Sequence, residues 1–116
     1  MALLTVPYDD FTPGKPLRTS TGSAQISSEL IEPHEKLYRF RGSQPVLGLS
    51  DGELLVAEPR RSAATGETVI ASSEGNFFVG QWWKKHGVRQ LRIDAETLQG
   101  KFQLIAAVNL ILRVRK

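Results

Sequence analysis

Apolar residues in this chain fall into short runs separated by turn chemistry, and from Leu37 onward those runs read as strands. Leu37 to Arg41 alternates apolar and polar positions. Leu54-Leu55-Val56-Ala57 follows the turn signal Asp51-Gly52 and ends before Pro59, as expected of a strand bounded by breakers. Thr68 to Ala71 is entered through Gly66, and Glu74-Gly75-Asn76 makes a tight hairpin turn into Phe77 to Trp83. His86-Gly87 then reverses the chain into Gln90 to Ile93. Phe102 to Val108 and Leu110 to Val114 follow, with a bend near Asn109. No stretch of useful length carries a helical period, and there is no internal repeat. The pattern predicts a mainly β fold, a compact antiparallel barrel-like sheet.

Residues 1–30 have a different texture. Pro7, Pro13, Gly14, Pro16 and the run Thr19-Ser20-Thr21-Gly22-Ser23 offer turn chemistry and little apolar area. They predict an extended or mobile arm ahead of a β domain over residues 31–116.

Composition narrows the class. With 116 residues, 41% of them hydrophobic, the chain suits one small domain with a modest core. Its richest apolar run, Phe102 to Val114, is broken by Gln103, Asn109 and Arg113, so no transmembrane segment is expected. The first residues lack a basic start followed by an apolar stretch, which argues against a signal peptide. The absence of cysteine excludes disulfides and thiolate metal sites and suits a cytoplasmic location. Residues 51–116 hold ten basic and seven acidic side chains, against five of each in residues 1–50. The cations are scattered among acids, so direct specific nucleic-acid binding is not expected, and neither is membrane binding.

Candidate chemistry is sparse. His34 and His86 are the only histidines, and neither stands in a ligand-spaced cluster, so no metal is expected. No phosphate loop or dinucleotide signature occurs, so no cofactor is expected. Neighbouring strand residues point to opposite faces, so one of Trp82 and Trp83 should anchor the core and the other face outward, where it would mark a partner surface. Ser43, after Gly42 at a strand-to-loop junction, is the one candidate nucleophile, and a serine without a base is a poor one. Gly80 is an oddity, a glycine in mid-strand that wastes backbone entropy and packs nothing.

Three segments carry a resemblance. Leu49-Ser50-Asp51-Gly52-Glu53-Leu54-Leu55-Val56-Ala57, Gly66-Glu67-Thr68-Val69-Ile70-Ala71 and Glu74-Gly75-Asn76-Phe77-Phe78-Val79, in this order and spacing, resemble the carboxy-terminal domain of the LexA repressor and UmuD mutagenesis protein family. The likeness is nearest to UmuD, and it covers roughly residues 37–116 of the sequence. It implies the β-fold shared with signal peptidases, homodimerisation, and self-cleavage by a Ser-Lys dyad in the SOS response to DNA damage. It also implies partners of the UmuD kind, a translesion polymerase and the recombinase filament.

The family serine lies eight residues before the aspartate of Asp-Gly, which places it on Ser43, eight before Asp51. The family lysine falls on Gly80, 37 residues after Ser43. Lys84 shares that strand face but lies about 13 Å further along, beyond the reach of a general base. The arm also lacks the family's Ala-Gly or Cys-Gly cleavage dipeptide.

The expectation is therefore a catalytically inactive domain that works by binding, with Ser43 a vestigial nucleophile position and Gly80 the place of a lost lysine. Trp82, Trp83, Leu110 and Leu112 are its interface candidates, and Leu110, Leu112 and Val114 share one face of a final strand that suits an edge or a pairing interface. Two alternatives stand beside it. One is an active self-cleaving peptidase using Ser43 with an unrecognised base, and the other a phage or mobile-element accessory or structural protein with no link to DNA damage.

Overall fold

The computed structural model describes residues 2–93, 96–99 and 101–113. These form nine strands: β1 (Leu3–Phe11), β2 (Arg18–Ser27), β3 (Lys36–Phe40), β4 (Leu54–Pro59), β5 (Thr68–Ser73), β6 (Asn76–Lys85), β7 (Val88–Ile93), β8 (Glu96–Gln99) and β9 (Gln103–Leu112). They lie in one sheet in the order β2-β1-β3-β4-β9-β5-β6-β7-β8. β1 runs parallel to β3, and the other neighbours are antiparallel.

The sheet is open, which corrects the expected barrel. Closure needs the two end strands to pair, and β2 and β8 stand at opposite ends of the order. The strand-forming periodicity is the same in both architectures, because it fixes which faces are apolar and leaves open which edges meet. The molecule is accordingly elongated, 46 Å along its longest axis against 24 and 23 Å across.

Both faces of the central strands are covered, so those strands read as continuous apolar runs. Leu54, Leu55, Val56 and Ala57 are all buried. Leu55 and Ala57 join Phe11, Phe40, Leu49, Ile70 and Val79 on one side, while Leu54 and Val56 join Ile26, Ile31 and Leu37 on the other. A third cluster gathers Val69, Ala71, Trp82, Leu91, Phe102 and Leu104.

Residues 1–30, expected as an arm, supply the β1–β2 hairpin, and this hairpin extends the sheet by pairing Tyr8–Phe11 with Leu37–Phe40. The bend expected near Asn109 is a β-bulge. Val56 faces Leu110 and Ala57 faces Val108, leaving Asn109 as the extra residue. The final strand is not an edge, which corrects a second expectation. β9 is central, with β4 along Ala106–Leu112 and β5 along Gln103–Ala107. Val114 lies outside the described residues. Among the described residues no helix is long and apolar enough to cross a membrane.

Candidate functional site

The loop from Arg41 to Glu53 carries Ser43 and is tied down by its own residues. Gly42 N–H donates to Asp51 Oδ1 at 2.8 Å, so the eight-residue offset between Ser43 and Asp51 corresponds to a physical brace. Gln44 and Leu49 exchange backbone bonds of 2.9 and 3.1 Å, closing a small turn around the 3-10 segment Pro45–Leu47, which ends on Gly48 at φ 71°. Position 48 therefore needs a residue at ease in the left-handed region.

Gln44 connects this loop to the strand carrying Gly80. Its side chain is buried, and Nε2 donates to the carbonyl of Val79 at 2.8 Å. Ser43 and Gly80 are thus each one residue from a direct loop-to-strand contact.

Gly80 itself is closed off. It is buried in β6 opposite Val69 of β5. A Cβ built there would stand 2.5 Å from the Arg92 carbonyl oxygen, 3.0 Å from Leu91 Cγ and 3.1 Å from Ile93 Cγ1. Backbone cannot yield as a side-chain tip can, so β7 leaves position 80 no room for any side chain. The strand glycine is explained by close approach of a neighbouring strand.

Ser43 lines an open groove of about 770 Å³ together with Tyr8, Arg39, Arg41, Asp51, Glu53 and Arg113. Each arginine is matched to a carboxylate. Arg39 Nε lies 3.2 Å from Asp10 Oδ1, Arg41 Nε 3.6 Å from Asp51 Oδ1, and Arg113 Nε 3.2 Å from Glu53 Oε2. Arg39 also donates to the Tyr8 hydroxyl at 3.0 Å and covers the Tyr8 ring, 4.9 Å from its centroid. Glu53 is buried, and Oε1 accepts from Ser50 N–H at 2.5 Å. Among the described residues no lysine or histidine lines the groove. Arginine stays protonated in proteins and cannot accept the Ser43 proton, and the Asp51 and Glu53 carboxylates are engaged. The groove brings together paired charges, a tyrosine and an exposed serine.

The other expected site residues lie elsewhere. Trp82 is buried, edge-on to Phe102 with ring centroids 5.7 Å apart, and is the core anchor of the pair. Trp83 is half-buried beneath the Arg92 guanidinium, 4.1 Å from the ring centroid, and its buried Nε1 has no hydrogen-bond partner among the described residues. Leu110 and Leu112 are half-buried against the cluster of Ile26, Leu37, Leu54 and Val56.

Sequence reasoning missed Gln44, Tyr8, Asp10 and Arg39. A buried glutamine in a turn-rich stretch leaves no periodic signal. Tyr8, Asp10 and Arg39 come together only through the parallel β1–β3 pairing, in which Asp10 faces Arg39.

No protein-family model matches the chain, and no curated protein matches it significantly.

Proposed function

We propose that this chain is a non-catalytic, UmuD-like protein that acts in the cytoplasm by homodimerising and by binding a protein partner. The observation that carries the reading is the closed position 80 beside the Ser43 loop. In the family the sequence resembles, these two positions hold the base and the nucleophile. Here the Gln44–Val79 hydrogen bond keeps loop and strand together, while β7 occupies the space a lysine would need. The partner class that the resemblance suggests is the machinery of damaged-DNA replication, a translesion polymerase or a recombinase filament.

The open sheet supplies a place for such binding. β2 is a ten-residue end strand whose only charged residue is Arg18, so it lacks the inward charges and prolines that blunt exposed edges. An extended strand from a second copy can add to such an edge through main-chain hydrogen bonds. Sedimentation equilibrium of the full chain tests this. A dimer at micromolar concentration that weakens in the edge variant Gln25→Lys is expected. A monomer at every concentration contradicts the homodimer.

A further inference from the structure

Among the described residues some cations meet a carboxylate and others, Lys15, Arg18, Lys36, Arg61 and Lys101 included, form no ion pair; four of the unpaired ones are grouped on one hairpin. Arg39, Arg41, Arg60 and Arg113 each meet a carboxylate within 4 Å. Lys84, Lys85, Arg89 and Arg92 form no ion pair among the described residues, and all four are exposed. They belong to one hairpin, β6–β7, whose residues 81–92 include no acid.

The fold lifts this hairpin clear of its neighbours. β5 follows β6 only as far as Gln81, and β8 follows β7 only over Gln90–Ile93. Backbone bonds between Trp82 and the turn residues Gly66 and Glu67 mark the end of that support. Beyond it, residues 83–89 make a two-stranded ribbon that reverses at His86 and Gly87.

Both faces of the ribbon and its base are basic. Lys84 stands directly opposite Arg89, and Lys85 shares the other face with Arg92. Like charges directly opposite one another destabilise a strand pair, and no carboxylate within the hairpin offsets this one. The two arginines are nonetheless held in place by rings. The Arg89 guanidinium lies 5.5 Å from the Phe102 ring centroid and that of Arg92 lies 4.1 Å from Trp83. Ring contacts fix a guanidinium while leaving its charge unneutralised.

Among the described residues, the nearby acids point elsewhere. The Glu67 carboxylate is taken by Arg60 and by Ala64 N–H. Glu74 is at the opposite end of β6, about 30 Å away along the strand. Glu96 faces Ile93, one position from the Arg92–Thr97 pair and therefore on the other face from Arg92.

We propose that the β6–β7 ribbon docks on duplex DNA, with Lys84, Lys85 and Arg89 of the ribbon, and Arg92 at its base, on the phosphates. A two-stranded ribbon fits the major groove of B-form DNA, whereas the deep, narrow major groove of an RNA helix excludes it. Basic side chains on both faces suit a groove with phosphates on both walls, and a flat anionic membrane would meet only one face. Binding of this kind is electrostatic and independent of sequence. In the amino-acid sequence these four cations already stand in one acid-free run, residues 81–92, and the hairpin brings Lys84 and Arg89 face to face. The proposal does not depend on how Ser43 and Gly80 are read.

The test is fluorescence anisotropy of a short, labelled, mixed-sequence DNA duplex titrated with the full chain over a range of salt. Wild type should bind at low salt and weaken linearly on a log–log plot. Lys84→Gln/Lys85→Gln should bind about tenfold or more weakly, with a slope lowered by about 2. Lys15→Gln/Lys36→Gln, which removes two exposed cations outside the ribbon, should leave the slope unchanged. Circular dichroism confirms that each variant keeps its β structure, and Arg89→Gln gives a second reading if the double variant misfolds. Equal weakening by the control pair, or no binding by wild type at low salt, overturns the proposal. So does equally tight binding to polyglutamate or to phosphatidylserine vesicles, which would assign the ribbon to an acidic protein or a membrane surface.

Discussion

At the scale of single residues, Gly80 and Gln44 say most about this protein. Gly80 is fixed by its neighbour, since the Arg92 carbonyl stands where a Cβ would go. Gly80→Ala should therefore lower stability by about 1–3 kcal/mol through overpacking, read as a reduced midpoint in urea unfolding. An unchanged midpoint would mean that β7 can move aside. The same geometry makes Gly80→Lys a poor route to restoring a base, because the lysine would displace β7 before reaching any serine. Gln44 does the opposite work, filling a buried place with a donor whose partner is a backbone carbonyl. Trp83 Nε1 is the one orphaned donor among the buried side-chain atoms of the described residues, and nothing in the structure accounts for it.

At the scale of elements, the strands from Lys36 onward were legible because each alternates or runs apolar between strong turn residues. Glu74 and His86, the non-glycine residues at positive φ, lie in the two hairpin turns that the sequence marked. The β1–β2 hairpin was not legible. Its apolar content is low, and its place in the sheet comes from the parallel pairing with β3, which no local pattern announces. Closure was misjudged for a related reason, since the alternation of β4 or β6 is the same whether the end strands meet or stay apart. In the candidate site, the spacing of Ser43, Asp51 and Gly80 was readable, but the Tyr8–Arg39–Asp10 cluster required the tertiary fold.

One inter-element tie has a pH signature. His34 Nε2 lies 3.1 Å from Glu58 Oε2 on β4, and Arg60 Nε lies 3.3 Å from Glu58 Oε1. Desolvation pushes the Glu58 carboxyl up, but the hydrogen bond with His34, the nearby Asn109 amide and the charges of Arg60 and His34 outweigh it, so the carboxyl sits below its ordinary 4.5. A carboxyl held lower in the folded state stabilises that state above its unfolded value, and the contribution fades as pH falls through the folded value. Thermal melts should show wild type above Glu58→Gln at neutral pH, with the gap closing below about 4.5. A gap that stays constant with pH would assign the difference to packing.

At the scale of the whole molecule, the open sheet of the described residues carries three distinct surfaces. The groove beside Ser43 holds matched charges, β2 is an end strand of the sheet, and the β6–β7 ribbon carries cations that form no ion pair among the described residues. Among the described residues lining the groove no lysine or histidine stands beside Ser43, and position 80 has no room for one; both observations support the proposed binding role. The most direct measurement is the intact mass of the purified chain after prolonged incubation at alkaline pH, with and without activated recombinase filament. A single species at the full-length mass is the expected result. A specific cut within residues 15–30 that disappears in Ser43→Ala would contradict the account.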